Sequence, residues 1–371
     1  MHMKIKQITL YKIEIPMITS FITSFGTITK KPTVIVKITD EEGIEGYGEG
    51  AALPFPFYKP DTTDITMLVI KDYIAPILLH KEFSDIETLM ALLSPIKNHH
   101  FAKTAIENAV WMMLSLKENK SLKDLLGGQQ NKIGVGESIG IKDTIEETLE
   151  EVQLRRAQGF QRTKIKIKPG WDITVVKAIR DTFGDIDLMV DGNSAYTLND
   201  LKIFKSLDTY NLTMIEQPLA DDDIIDHAVL QKTLKTPICL DESIHSAEDA
   251  RKAISINACK IINIKPGRVG GLLESKKIHD ICQENGVGVW CGGMLETGIG
   301  RAFNIAVASL PNYIYPADMS PVNLFYADDL VKNSFTVDDN GFVDVPENPG
   351  LGFEIDRQRI KQYTVEKILL Q

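Results

Sequence analysis

TKIKIK (163–168), DLMVD (187–191), TMIEQP (213–218), ICLDES (238–243) and KIINIKPGR (260–268) are five short apolar runs, each closing on charged residues. Lys166 lies 25 residues before Asp191, which lies 25 before Glu216, which lies 25 before Asp241, and Lys265 follows 24 later. That interval suits one strand, one helix and two short loops. Each charged residue should therefore stand at the end of its own strand, with three carboxylates and two lysines on one face of a parallel sheet.

Outward from this stretch the alternation continues. IGVGESIGI (133–141) precedes a helical pattern at 144–159, and VGVWCGGM (287–294) precedes another at 298–310. Seven strand–helix units and a last strand near YIYPAD (313–318) predict an α/β fold, a (β/α)7β modified TIM barrel, over residues 127–320. The strands read as continuous apolar runs, as strands covered on both sides should. A doubly wound open sheet is the competing fold, and the strand count favours the barrel. Residues 1–126 read as an α+β capping domain: strands at 4–15, 32–40 and 44–50, then helical patterns up to the Gly127-Gly128 break. Two segments, 17–31 and 51–62, read as loops. Residues 321–371 are expected to return to the capping domain, through a hairpin with its turn at Asp338–Gly341.

At 371 residues the chain is long enough for two domains. A net charge of −10, without a basic stripe carrying aromatics, argues against a nucleic-acid partner. The N-terminus lacks the apolar core of a signal peptide, and no 18-residue apolar run exists, so a cytoplasmic protein with no membrane partner is expected. Cys239, Cys259, Cys282 and Cys291 show no metal-binding spacing and read as reduced thiols.

Barrel active sites lie at the C-terminal strand ends. There Asp191, Glu216 and Asp241 offer three hard oxygen donors, which suit Mg²⁺, with Mn²⁺ the alternative. A single strand-end acid is as often a cap on the next helix or a solvated loop residue. Three at near-equal spacing, flanked by lysines, argue for a metal. Lys164 and Lys166 share one strand face, and an unpaired ammonium inside a barrel is costly. A divalent ion and a second lysine would depress one lysine toward neutrality and make it a general base. Three strands separate Lys265 from the Lys166 strand, so it arrives from the other side of the ring. The arrangement fits removal of a proton beside a carboxylate, with a cation offsetting the enolate charge.

The KIK lysines, VDGNSAY (190–196), IEQPL (215–219), LDES (240–243) and IKPGRVGG (264–271) resemble the muconate-lactonising subgroup of the enolase superfamily. The seventh-strand end, CGGMLETGIGR (291–301), lacks the histidine of mandelate-type members. KIKPGWD (166–172), GVGESIGI (134–141) and DMSPVNLFYADD (318–329) resemble the o-succinylbenzoate synthase / N-succinylamino acid (N-acylamino acid) racemase branch. The resemblance spans nearly the whole chain and implies a homo-oligomeric enzyme acting on a small carboxylate. It implies Mg²⁺ on Asp191, Glu216 and Asp241, catalytic Lys166 and Lys265 on opposite faces, and Lys164 tuning the base beside the substrate carboxylate. Asn193 would support the metal site. Ser138, Gly293, Met294 and Glu296 would line the pocket, and the Thr19–Thr27 and Phe55–Thr62 loops, the second holding Tyr58, would close over it. Arg268 resembles the racemase-capable members. The expected activity is succinylbenzoate synthesis for menaquinone, with N-succinylamino acid racemisation beside it or principal. Dipeptide epimerases and cycloisomerases share the pattern, and a barrel that binds metal and acid without catalysis is the non-enzymatic alternative.

Among the remaining residues, His245 reads as a loop hydrogen-bonding group, His227 and His279 as surface residues, and Cys291, Trp111, Trp171 and Trp290 as packing.

Overall fold

Alternating apolar residues build an N-terminal antiparallel sheet from β1 (Met3–Thr23), β2 (Gly26–Asp40) and β3 (Glu45–Gly50). The computed structural model of the chain describes residues 3–23 and 26–371. Ile8 and Leu10 pair with Ile38 and Val36, and all four are buried. The turn between β2 and β3 is held by the Asp40 carboxylate, which accepts from Glu42 N at 3.0 Å and Ile44 N at 2.8 Å. Gly43 sits there at φ +85°, a conformation that favours glycine. The helix His100–Glu118 packs so closely on β3 that a Cβ on Gly46 or Gly48 would lie 2.0 Å from the carbonyl oxygens of Ala109 and Ala105.

The parallel sheet runs in chain order through β4 (Gly136–Ile139), β5 (Arg162–Lys166), β6 (Leu188–Asp191), β7 (Ile215–Glu216), β8 (Ile238–Leu240), β9 (Ile261–Ile264) and β10 (Gly288–Cys291). Residues 313–318 occupy the eighth position. Asp318 N donates to Cys291 O at 2.9 Å, while Ala317 N donates to Gly134 O at 2.8 Å, so the segment joins both edges. Pro316 has no N–H to give, which is one reason this stave is bridged in places rather than paired as a regular strand. The fold is thus the expected (β/α)7β barrel. Met189, Met214, Cys239, Ile261 and Trp290 fill part of its interior. All four cysteines are buried and unpaired, and no helix among the described residues is long and apolar enough to cross a membrane.

Three expectations need correction. The 17–31 segment is not a loop where it is described: β1 and β2 run on as a long hairpin with Phe21 opposite Ile28, and Ser24 and Phe25 lie outside the described residues. Its Thr-rich composition suited strand as well as loop. The Asp338–Gly341 turn forms, but Phe342–Asp344 pairs with Lys132–Gly134 beside the barrel. The tail meets the N-terminal sheet through β11 (Thr364–Leu370), antiparallel to β1. His227 and His279 are buried, because their Nε2 atoms accept from Leu219 N (3.2 Å) and Asn312 N (3.1 Å) in adjoining loops.

Two buried carboxylates of the N-terminal unit cap barrel helices. Glu107 accepts from Leu272 N at 2.6 Å and Leu273 N at 2.9 Å at the start of the helix Leu272–Glu284. Gly271, at φ +127°, brings no side chain to that cap. Glu49 accepts from Gly300 N at 2.9 Å and Thr297 Oγ1 at 2.8 Å at the start of Gly298–Ala308. Burial pushes both carboxyls up, to about 7. Between the ordinary value of 4.5 and about 7 the folded chain keeps a proton the unfolded chain has released, so stability falls as pH rises through that window. Glu107→Gln, uncharged at every pH, is expected to flatten that slope in urea midpoints measured from pH 4.5 to 7.5; an unchanged slope would place its source elsewhere.

Candidate active site

Arg162, Lys164 and Lys166 occupy positions i, i+2 and i+4 of β5 and are all buried. The period of two sends all three to the barrel side of the strand. Lys166 Nζ donates to Asp191 Oδ2 at 2.6 Å and to Asn193 Oδ1 at 2.8 Å. Asn193 passes the contact on, donating from Nδ2 to Glu242 Oε1 at 2.8 Å. Its backbone is held at φ +42°, and Gln217 after the next strand at φ +33°. Such strain gathers where a side chain must be aimed.

Lys164 is held by three acids: Asp318 at 2.5 Å, Glu216 at 3.3 Å and Asp191 at 3.8 Å. Asp318 also takes Arg162, and both cations lie against the Trp290 ring, at 4.7 and 4.8 Å from its centre. Glu216 Oε1 accepts from Asn263 Nδ2 at 2.7 Å. On the far side Lys265 Nζ donates to Asp241 Oδ2 at 2.7 Å and to the Tyr58 hydroxyl at 3.1 Å. Arg268, fully buried, pairs with the other oxygen of Asp241 and donates to Ile244 O and Asn263 O at 2.8 and 2.6 Å. Arg268 is therefore part of the buried charge cluster and not a solvated loop residue.

Burial works against the charge on every member, and partners decide the outcome. Asp191 is lowered despite its burial, since the ammoniums of Lys166 and Lys164 outweigh it. Glu216 and Glu242 are raised, by burial first and by the neighbouring Asp191 charge second. Lys164 and Lys265 end up raised: burial lowers them, but Asp318, Glu216 and Asp191 around the first, and Tyr58, Glu216 and Glu242 around the second, prevail. The protein's own carboxylates and the Tyr58 oxygen thus favour the charged form of these two lysines.

Lys164, Lys166, Lys265, Asn193, Ser138, Tyr58, Gly293 and Met294 line one open-sided cavity of about 690 Å³, closed from the N-terminal unit by Ile28 and Leu53. Glu296 does not line it; its Oε1 accepts from Met294 N at 2.9 Å and braces the loop. Asp191, Glu216 and Asp241 do not line it either. Three hard oxygens with a cationic nitrogen already between two of them fit a cation in kind. Among the described residues, however, no three His, Cys, Asp or Glu stand as a ready-made metal cage; each carboxylate is turned instead to an ammonium or guanidinium.

Sequence reasoning missed Asp318, Arg162, Asn263 and Glu242. The signals existed: Arg162 is two before Lys164, Asn263 two before Lys265, Glu242 follows Asp241, and Asp318 ends the eighth stave. Asp318→Asn would leave Arg162 and Lys164 buried with their shared anion gone. Urea unfolding at pH 7 should show a loss of about 3 kcal/mol or more, the scale for a broken buried ion pair; an unchanged midpoint would mean the two cations are balanced by other groups.

Two family models cover most of the chain: the mandelate racemase / muconate lactonizing enzyme N-terminal domain over residues 7–127, and the enolase C-terminal domain-like model over 147–359. An o-succinylbenzoate synthase of Geobacillus kaustophilus is 44% identical, over 98% of this chain and 97% of its own. An N-succinylamino acid racemase of an Amycolatopsis species is 40% identical over 99% of both. Among solved structures, an enolase-superfamily member from Listeria innocua superposes with a TM-score of 0.96 at 41% identity, covering 99% of each chain. A dipeptide epimerase from Cytophaga hutchinsonii, complexed with Mg and a dipeptide, gives 0.91 at 26% identity over 99% of this chain and 100% of its own. Matched by both domain models and by relatives along nearly its entire length, the chain belongs to the enolase superfamily.

Proposed function

We propose that this chain removes the proton alpha to a carboxylate, and that its principal reaction is the dehydration that forms o-succinylbenzoate. One observation carries the reading. Lys166 and Lys265, from strands with three others between them, both line one cavity, and each is hydrogen-bonded to a strand-end carboxylate. Members of the superfamily bind Mg²⁺. A divalent cation held by Asp191, Glu216 and Asp241 would supply the positive charge that acidifies the alpha carbon.

The remaining work falls to the chain's own groups. Lys166, deprotonated, takes the alpha proton and returns it to the departing hydroxyl, which leaves as water. Asn193, 2.8 Å from its Nζ, fixes the direction of the amine. Lys265 stays an ammonium and steadies the negative charge developing on the substrate. Lys164, with Asp318 and Trp290 behind it, faces the substrate carboxylate. Tyr58, Ile28 and Leu53 keep water from the reacting carbon.

N-succinylamino acid racemisation is the second reading, favoured by the racemase at 40% identity and by Arg268 beside Asp241. There Lys166 takes the proton from one face and the Lys265 ammonium delivers one to the other. Both reactions use the same pair of amines, so one site can run both.

With Mg²⁺ present, Lys166→Ala and Lys265→Ala are each expected to slow both reactions by about 10²- to 10⁴-fold, the usual scale for a lost general acid or base. Dehydration of the cyclohexadiene precursor and racemisation of N-succinyl amino acids are the assays. A wild-type rate no higher than that of Lys166→Ala in both would overturn the reading, and absence of alpha-proton exchange in D₂O would leave a binding barrel. Chelation with EDTA should abolish both rates and added Mg²⁺ restore them; full activity in EDTA would exclude the metal role of the three carboxylates.

A further inference from the structure

Lys59 follows Tyr58 in the segment that reaches from the N-terminal unit over the barrel, and it is only 8% exposed. An ammonium has three N–H bonds to place. Those of Lys59 meet Glu242 O at 2.7 Å, His245 Nε2 at 2.8 Å and Asp221 Oδ2 at 2.9 Å. All three acceptors stand on barrel loops, Asp221 after β7 and the other two after β8. An ammonium can only donate, so Nε2 of His245 is the acceptor in that contact, and the ring's Nδ1 lies 3.6 Å from Asp249.

The rest of the segment is tied differently. Asp61 pairs with His99 at 2.7 Å, within the N-terminal unit, and Phe57 stacks on Phe55 at 4.9 Å with 63% of its surface in solvent. Lys59 is thus the charged link from this short segment to the barrel rim. One residue earlier, the Tyr58 hydroxyl lies 3.1 Å from Lys265 Nζ and 3.3 Å from Asp241 Oδ1, and the Tyr58 ring centre lies 4.8 Å from that ammonium.

We propose that Lys59 is a positioning residue: its three-way clasp on the barrel rim fixes the Tyr58 hydroxyl against Lys265. The clasp itself stands on geometry alone, and its effect on turnover rests on the role given to Lys265 above. Without the ammonium, Tyr58 would be placed only by its own contacts, Lys265 would be aimed less narrowly at the substrate, and the segment would open more often.

The test uses the full-length Mg²⁺-loaded protein as wild type, Lys59→Met, Lys59→Arg, Tyr58→Phe and the Lys59→Met/Tyr58→Phe double variant. Lys59→Met should lower kcat/KM about tenfold for whichever acyl substrate the wild type turns over, the order expected when charge-assisted hydrogen bonds are lost. Lys59→Arg should recover most of that loss. In the Tyr58→Phe background Lys59→Met should cost little more, because the clasp acts through the hydroxyl. Amide hydrogen exchange should speed up in residues 51–62 in Lys59→Met while the barrel strands keep their protection. An equal penalty in both backgrounds, or unchanged exchange at 51–62, would overturn the proposal. If the wild type turns over neither substrate, it is the functional reading that fails; faster exchange in Lys59→Met, reversed in Lys59→Arg, then upholds the clasp, and unchanged exchange removes it.

Discussion

A cluster of buried charge at the mouth of the barrel governs this molecule. Asp191, Glu216 and Asp241 leave successive strands, and each meets cations: Lys166 and Lys164, Lys164 again, and Lys265 with Arg268. An ionised group in such a place is costly unless paired and hydrogen-bonded. The second layer completes those bonds through Asn193, Asn263, Asp318 and Tyr58. A divalent ion arriving with an anionic substrate would enter a network already near balance. Lysines released from carboxylates would then be free to turn to the substrate, the redistribution that general acid–base work requires.

The N-terminal unit is part of the same arrangement. Glu107 and Glu49 cap two barrel helices from outside, and Tyr58 reaches the Lys265–Asp241 pair. Burying two acids in a domain interface costs stability, and the capped backbone amides offset part of it. The gain is a fixed approach of the walls Ile28, Leu53 and Tyr58 to the amines of Lys166 and Lys265. Fold and chemistry are joined at this seam.

Much of this was legible in the chain because a barrel repeats. A 25-residue interval between acids and lysines is a direct image of strand, helix and strand, and the charged ends fell where the interval put them. The N-terminal hairpin was harder to read: its Thr- and Ser-rich 17–31 segment lacks the apolar alternation that marks β1 nearer its start. The eighth strand is expected near 313–318. Its closing acid, Asp318, was not counted with the site, because the seventh strand before it, VGVWC (287–291), ends on no charged residue and so breaks the series. Lysine proton affinities could not be read at all, since they depend on which carboxylates crowd each amine in space. His227 and His279 were misjudged because a helical pattern does not show which loop lies across it.

Gly271 has a wider meaning. A Cβ there would lie 1.4 Å from Glu107 Oε2, so the two halves of the molecule dock where one side chain is missing and another fills the gap. Neither residue lines the site cavity, yet each fits only because of the other. A chimera joining this N-terminal unit to a foreign barrel would dock in the same way only if the recipient carried the same empty site, whatever its catalytic residues. The pairing is a lock between halves: a side chain at Gly271 would have to displace Glu107 from the cap it forms.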